Sequence, residues 1–200
     1  MTRRAAAVEA TRRRIVEATV SAHRDLGVQA TSWEEIARRA GVGVGTVYRH
    51  FPSLDELLPA CGEVVASTLA LPARDRVPEL FKGTHSSRER IERLVKALFG
   101  AYERGAPFIR NIRRERRELP YFERRHRYLE GAFDALTREA LRPLKPSERQ
   151  VNGVRALTDL STWSAFRERG FSHQETTDTA VAVIECWLRS SRRSGRAQSS

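Results

Sequence analysis

Apolar residues return at intervals of three and four along almost the whole chain, and no stretch alternates between apolar and polar residues as a half-buried strand does. A chain patterned this way can bury its apolar surface only as packed helices, so the expected fold is all-α, with about nine helices. The first is marked by Ile15, Ala18, Thr19, Ala22 and Leu26 on one face and is stopped by Gly27. Ser32 with Glu35 three residues later forms a capping box that starts a second helix, whose inner face is Ile36, Ala37 and Ala40 and whose stop is Gly41. A third helix is expected from Val44 to His50. Phe51-Pro52-Ser53 then breaks the chain, and Ser53 with Glu56 restarts it as a second capping box.

Residues 72–87, with Pro72, Pro78, Gly83, Ser86 and Ser87, are expected to be a linker. Beyond it, helices are expected near 88–104, 107–118, 121–141, 148–169 and 173–191, separated by Gly105-Ala106-Pro107, Leu119-Pro120, Pro143 with Pro146, and Gly170. The resulting division is an N-terminal arm and small helical module over 1–53, a helical domain over 54–191, and a polar, basic tail over 192–200 expected to be disordered. There is no internal repeat.

The formal net charge is +11, from 36 Lys plus Arg against 25 Asp plus Glu, and nearly all of the cations are arginine. Such a balance favours a polyanionic partner, although arginine supplied by codon bias gives the same composition. Cys61 and Cys186 stand far apart with no metal-ligand spacing around either, which points to a reduced compartment and to no metal. Met1-Thr2-Arg3-Arg4 is followed by no signal-like apolar core, and no run of ~18 apolar residues could cross a membrane. A cytoplasmic protein without membrane association is the expectation.

Two short helices joined by a tight glycine turn, Ser32–Ala40 and Val44–His50, have the form of a helix-turn-helix, whose second helix fits the major groove of duplex DNA. Val47 and Phe51, four apart, face inward. Thr46, Tyr48, Arg49 and His50 are left with donors, acceptors or aromatic edges pointing outward. Gly43 and Gly45 let the backbone approach a ligand closely. Each of these residues taken alone also has a purely structural use: Tyr48 as a lid on the small core, His50 as an interfacial histidine, Thr46 as a helix-start hydroxyl. Inside this turn, together, they favour contact with DNA.

Residues 11–60 closely resemble the N-terminal domain of TetR-family transcriptional regulators. The resemblance is carried by Ile15 and Ala18, Gly27, Ala30-Thr31-Ser32, Glu35-Ile36-Ala37, Ala40-Gly41-Val42 and the run Gly45-Thr46-Val47-Tyr48-Arg49-His50-Phe51-Pro52-Ser53. It implies a three-helix DNA-binding head, a divergent helical body for ligand binding and dimerisation, and repression of a palindromic double-stranded DNA operator, relieved by a small-molecule effector. The family's usual DNA contacts fall on Ser32, Trp33, Gly43, Val44, Thr46, Tyr48, Arg49 and His50. Three positions depart from the family pattern. Gly43 stands where serine or threonine is common, Leu54 where a lysine often clamps phosphate, and His23 where an apolar aromatic is common. The clusters Arg3-Arg4 and Arg12-Arg13-Arg14 could supply the missing clamp, or could be a solvated arm.

Past residue 60 the resemblance rests on helix order alone. In the family the last two helices form a four-helix bundle with a second copy. Val154, Leu157, Leu160 and Ser161, with Ala180, Val183, Ile184 and Trp187, provide apolar faces suited to a homodimer interface or to an ordinary core. Phe99, Tyr102, Phe108, Phe133 and Trp163 could wall a ligand cavity, and helical core explains them equally well. The arginine-rich stretches 110–117 and 124–127 read as solvated helix faces or as sites for an acidic ligand or partner. An enzyme is disfavoured. Gly41-Val42-Gly43-Val44-Gly45 lacks the last glycine of a dinucleotide fingerprint and the lysine of a P-loop, and it follows a helix. No catalytic residues, metal or cofactor are expected. A nucleic-acid-binding structural protein without sequence preference is the other rival.

Overall fold

Ser32 supplies the side-chain oxygen that starts the second helix. Its hydroxyl accepts the Glu35 N–H at 3.1 Å, while the backbone is extended at φ −83° and ψ 159°. The reciprocal half of the expected box is absent, because the Glu35 carboxylate turns instead to Arg38 and Arg39, each at 2.7 Å. These two guanidinium groups, Arg38 first, hold the Glu35 carboxyl down at about 2. Gly41 ends the helix in the left-handed region at φ 64°. Gly41 N–H donates to the Arg38 carbonyl and Val42 N–H to the Ala37 carbonyl, a Schellman motif that satisfies the last turn.

The structure, a computed structural model, describes residues 3–197. Within them the chain is all-α: α1 Arg3–Leu26, α2 Trp33–Ala40, α3 Val44–His50, α4 Leu54–Leu69, α5 Ser87–Glu115, α6 Pro120–Leu141, α7 Glu148–Leu157, α8 Leu160–Glu168 and α9 His173–Ala197, with 3-10 turns at Arg74–Phe81 and Arg142–Leu144. They form two compact units. One is the described part of Met1–Leu69 together with Gly105–His126; the other is Ala70–Arg104 with the described part of Arg127–Ser200.

The first unit holds the α1–α4 module around Ile15, Ile36, Ala37, Val47, Phe51 and Leu57, all buried. The Arg12 guanidinium lies over the Phe51 ring at 4.3 Å, tying α1 to the residue that ends α3. The same unit takes in residues 105–126, which the boundary at 53/54 read from the sequence assigns elsewhere. Glu115 is the physical reason. Its carboxylate, only 4% exposed, accepts the backbone N–H groups of Val28 at 3.0 Å and Gln29 at 3.4 Å. Asn111 donates its side-chain amide to the His23 carbonyl at 2.6 Å, near the end of α1. Gly27, at φ +88°, turns between these bonds, and a side chain there would lie 2.5 Å from the Glu115 carboxylate.

In the second unit the buried residues of α5, α6, α7 and α9 pack around Leu98, Phe133, Val154 and Ile184. The expected break near Gly105 is present, with non-helical torsions at Gly105 inside the segment assigned to α5. The single helix expected over 148–169 is instead two. Asp159 restarts the chain by accepting the Ser161 N–H at 2.8 Å, and the Tyr102 hydroxyl donates to the Thr158 carbonyl at 3.1 Å, which stabilises the break. The expected linker 72–87 contains the 3-10 turn Arg74–Phe81, which buries Val77 and Phe81, and the Arg90 guanidinium covers the Phe81 ring at 4.7 Å. Helix α9 continues through Ala197 into the expected tail, where basic residues suit a helix C-terminus; residues 198–200 lie outside the described residues.

Two stability predictions follow from the first unit. Glu115→Ala leaves two backbone N–H groups without their acceptor and should cost about 2 kcal/mol in urea unfolding, with Glu115→Gln losing less. A loss within error for both would remove Glu115 from its assigned role. Burial lowers the pKa of His23 to about 4, against a smaller opposing pull from Glu115. Protonation therefore favours the unfolded chain, so stability held above pH 6.5 is lost as pH falls from 6.5 towards 4, by roughly 3 kcal/mol. In His23→Phe this component of the pH dependence should vanish. Parallel stability-versus-pH curves for the two proteins would contradict it.

Candidate nucleic-acid interface

Helix α3 is anchored by one apolar face and leaves the other to solvent. Val47 and Phe51 are fully buried against Ile15, Ile36 and Leu57. Tyr48 is 44% exposed and Arg49 is exposed; His50 and Thr46 are half-buried. The Arg49 guanidinium donates to the Thr46 hydroxyl at 3.3 Å, which holds both groups on the same side of the helix. Gly43 and Gly45 are exposed, and a β-carbon added at either would meet no atom within 4 Å. The backbone here is therefore bare towards solvent, and a groove or base edge could approach it closely.

Trp33, at the start of α2, packs its ring on that of Tyr48, with centroids 4.8 Å apart and planes tilted by 31°. This contact was not legible in the sequence, since fifteen positions separate the two rings. It fixes the direction of the most exposed aromatic on α3. The Ser32 hydroxyl is exposed but engaged as the α2 cap. Val44 is half-buried against the core of the module, so its backbone and one edge remain for contact.

Charge near this face is selective. Arg38 and Arg39 are spent on Glu35, and Arg39 also reaches Asp25 at 2.7 Å. Arg49 has no carboxylate partner among its described contacts. The expected arm is part of α1: Arg3, Arg4, Arg13 and Arg14 are exposed along it, with Arg13 3.8 Å from Glu17, whereas Arg12 is committed to Phe51.

The other residues singled out in the sequence are divided. Phe99, Tyr102, Phe133 and Trp163 come together in the second unit, with Tyr102 in the middle and ring centroids 5.9 to 6.1 Å apart. They pack on one another. Phe108 is not among them; it lies in the first unit, on the wall of a cavity lined also by Val20, His23, Cys61, Val65 and Tyr121. Of the candidate dimer residues, Val154, Ala180 and Ile184 are buried in their own unit. Leu157 and Trp187 are half-buried, and Ser161 and Val183 are exposed. The Trp187 indole lies across Gly153, where a β-carbon would come within 2.1 Å of the ring. Among the described residues no group of three or more His, Cys, Asp or Glu could hold a metal ion, and no helix is long and apolar enough to cross a membrane.

Residues 15–61 match the sequence model of bacterial regulatory proteins of the tetR family. The HTH-type transcriptional regulator BetI of Pectobacterium carotovorum is 34% identical over 88 residues, a match that spans 44% of this chain and 44% of that relative's length. In three dimensions the chain resembles the TetR-family transcriptional regulator PfmR of Thermus thermophilus, with a TM-score of 0.60 and 20% identity, covering 88% of this chain and 94% of the other. It also resembles a TetR-like transcriptional regulator of Rhodococcus, with a TM-score of 0.64 and 15% identity over 90% of this chain and 96% of the other. At those identities the likeness is one of fold, and it extends well past the matched N-terminal segment. Through its N-terminal module, on a helical fold that such regulators share, this chain belongs to the TetR family of transcriptional regulators.

Proposed function

We propose that the chain is a transcriptional repressor that binds a palindromic DNA operator as a homodimer and is released by a small-molecule effector. The observation that carries the DNA-binding part is the build of α3. Two buried side chains hold it, while Tyr48, Arg49 and His50 stand beside two glycines bare to solvent. Such a helix, offered from a three-helix module, presents hydrogen-bonding and aromatic groups at the scale of a major groove. Its neighbours support the same reading: TetR-family membership, and a relative whose name is that of a helix-turn-helix transcriptional regulator.

Two-fold symmetry follows from the partner. A single seven-residue reading helix spans few base pairs, and two copies reading half-sites about one helical turn (~34–36 Å) apart double the sequence read. The outer faces of α8 and α9 are the candidate interface, with Leu157, Ser161, Val183 and Trp187 outward of the unit's own core. Release by an effector needs only a differential affinity. A tenfold weakening of operator binding corresponds to a ligand that prefers the DNA-free state by ~1.4 kcal/mol.

Selection of bound duplexes from a random pool tests the whole reading, and a palindrome is the expected product. On that duplex, Tyr48→Ala and His50→Ala should each weaken binding by about 1–3 kcal/mol per site, the size of a good groove contact. Arg49→Ala should do the same if it reads guanine; if it meets phosphate it should lower affinity for all sequences and flatten the salt dependence. Unchanged affinity in all three variants would refute the placement of the reading helix. For the interface, Val183→Asp puts a charge on the exposed α9 face without touching the buried core, and sedimentation should show monomers. A dimer of undiminished stability would move the interface elsewhere.

A further inference from the structure

The cavity in the first unit has walls from four segments: Val20 and His23 of α1, Cys61 and Val65 of α4, Phe108 of the last turns of α5, and Tyr121 of the first turn of α6. Its empty volume is about 450 Å³ including an open mouth, which Arg125 also lines. Almost all of the surface inside is carbon. The polar groups that reach it are neutral: burial keeps the His23 imidazole unprotonated at pH 7 and pushes the Cys61 thiol up to about 12. The Asn111 amide is already given to the His23 carbonyl. A charged group would meet no partner in the interior, whereas a ring or short alkyl chain would exchange water for carbon on every side.

The α4 wall is built to yield. Pro59 and Gly62 both lie inside this helix, and both are residues that helix interiors disfavour. Proline at 59 removes the backbone bond to the Asp55 carbonyl. Glycine at 62 leaves the space into which the Tyr121 hydroxyl fits: a β-carbon there would stand 2.0 Å from the Tyr121 Oη. Tyr121 thus rests directly on the α4 backbone beside the cavity. Helix α4 also leads straight back to the reading helix, since only Pro52 and Ser53 separate it from Phe51, the residue that ends α3. Leu57 and Cys61 belong to the same core that buries Val47.

We infer that this cavity is a regulatory site for a small, uncharged apolar molecule with a ring or short alkyl body, and that filling it displaces α4 and lowers DNA affinity. The site lies in the unit that carries the reading helix, and not among the stacked aromatics of the second unit, where the sequence suggested a pocket. Only the regulatory half rests on the DNA-binding reading; the binding half stands without it. An occupant pressing on Val65 and Tyr121 moves α4 outward, and the two-residue connection carries that motion into α3. With Val47 and Phe51 buried and Trp33 on Tyr48, the reading face is fully assembled in the structure, so such a shift disturbs it.

Toluene is a suitable probe, used with the full chain and the duplex recovered by selection. Saturating toluene should raise the melting temperature of the wild type by several degrees and weaken its DNA binding about tenfold. Val65→Phe, which fills the cavity from its wall, should show no melting shift with toluene and should bind DNA about tenfold more weakly without it. If circular dichroism shows that Val65→Phe does not fold, Val65→Leu should retain a reduced toluene shift. The same shift in wild type and filled variant, or no shift in the wild type, overturns the binding site. A wild-type shift that is lost on filling, with DNA affinity unchanged by toluene, overturns the regulation. A chain that binds no duplex at all, yet shows the shift and its loss on filling, leaves the binding site supported and defeats the DNA-binding reading alone.

Discussion

The carboxylate of Glu115 is taken almost wholly out of water and is repaid by two backbone N–H groups of the turn that follows α1, together with the guanidinium of its neighbour Arg114 at 2.8 Å. Much of the first unit depends on that exchange. The turn at residues 27–29 sets where α1 stops and where α2 can start. Asn111, one helical turn earlier, holds the last part of α1 through the His23 carbonyl. Since α1 supports Phe51 through Arg12, and Phe51 ends the reading helix, the direction of α3 is fixed in part by residues some sixty positions away. A module that looks self-contained in the sequence is completed by a returning segment.

How much of this was legible depended on the range of the interaction. The caps at Ser32 and Ser53, the glycine stops at 27 and 41, and the inward faces of α2 and α3 are local consequences of torsion and spacing, and each stands in the structure where the sequence indicates. The all-α class followed from the same periodicity. What the sequence hid is non-local. Glu115 sits in a run of arginines that reads as a solvated face, and nothing nearby marks it as the one carboxylate turned inward. The break at Thr158 was missed because its cause, the Tyr102 hydroxyl, comes from another helix. Even the Glu35 half of the first capping box went astray because two arginines on the next turn outcompete the backbone for it.

The reading face shows how little apparatus a recognition surface needs. Two glycines remove side chains, two buried residues set the rotation of the helix, and three or four polar groups remain. Cations close by are neutralised by Glu35 and Asp25, so the positive charge of the chain as a whole is not concentrated at this helix. Selectivity over mere electrostatic attraction would then reside in Tyr48, Arg49 and His50, with the exposed arginines along α1 adding affinity that salt screens.

The stacking of Trp33 on Tyr48 has an optical consequence. Trp33 is the only tryptophan of the first unit, Trp163 and Trp187 both lying in the second. Its indole touches the most exposed aromatic ring of the reading helix at 4.8 Å, close enough that any displacement of Tyr48 alters the surroundings of the excited state. With the other two tryptophans replaced by phenylalanine, the emission of Trp33 becomes a built-in reporter of what α3 is touching, without a dye or a label.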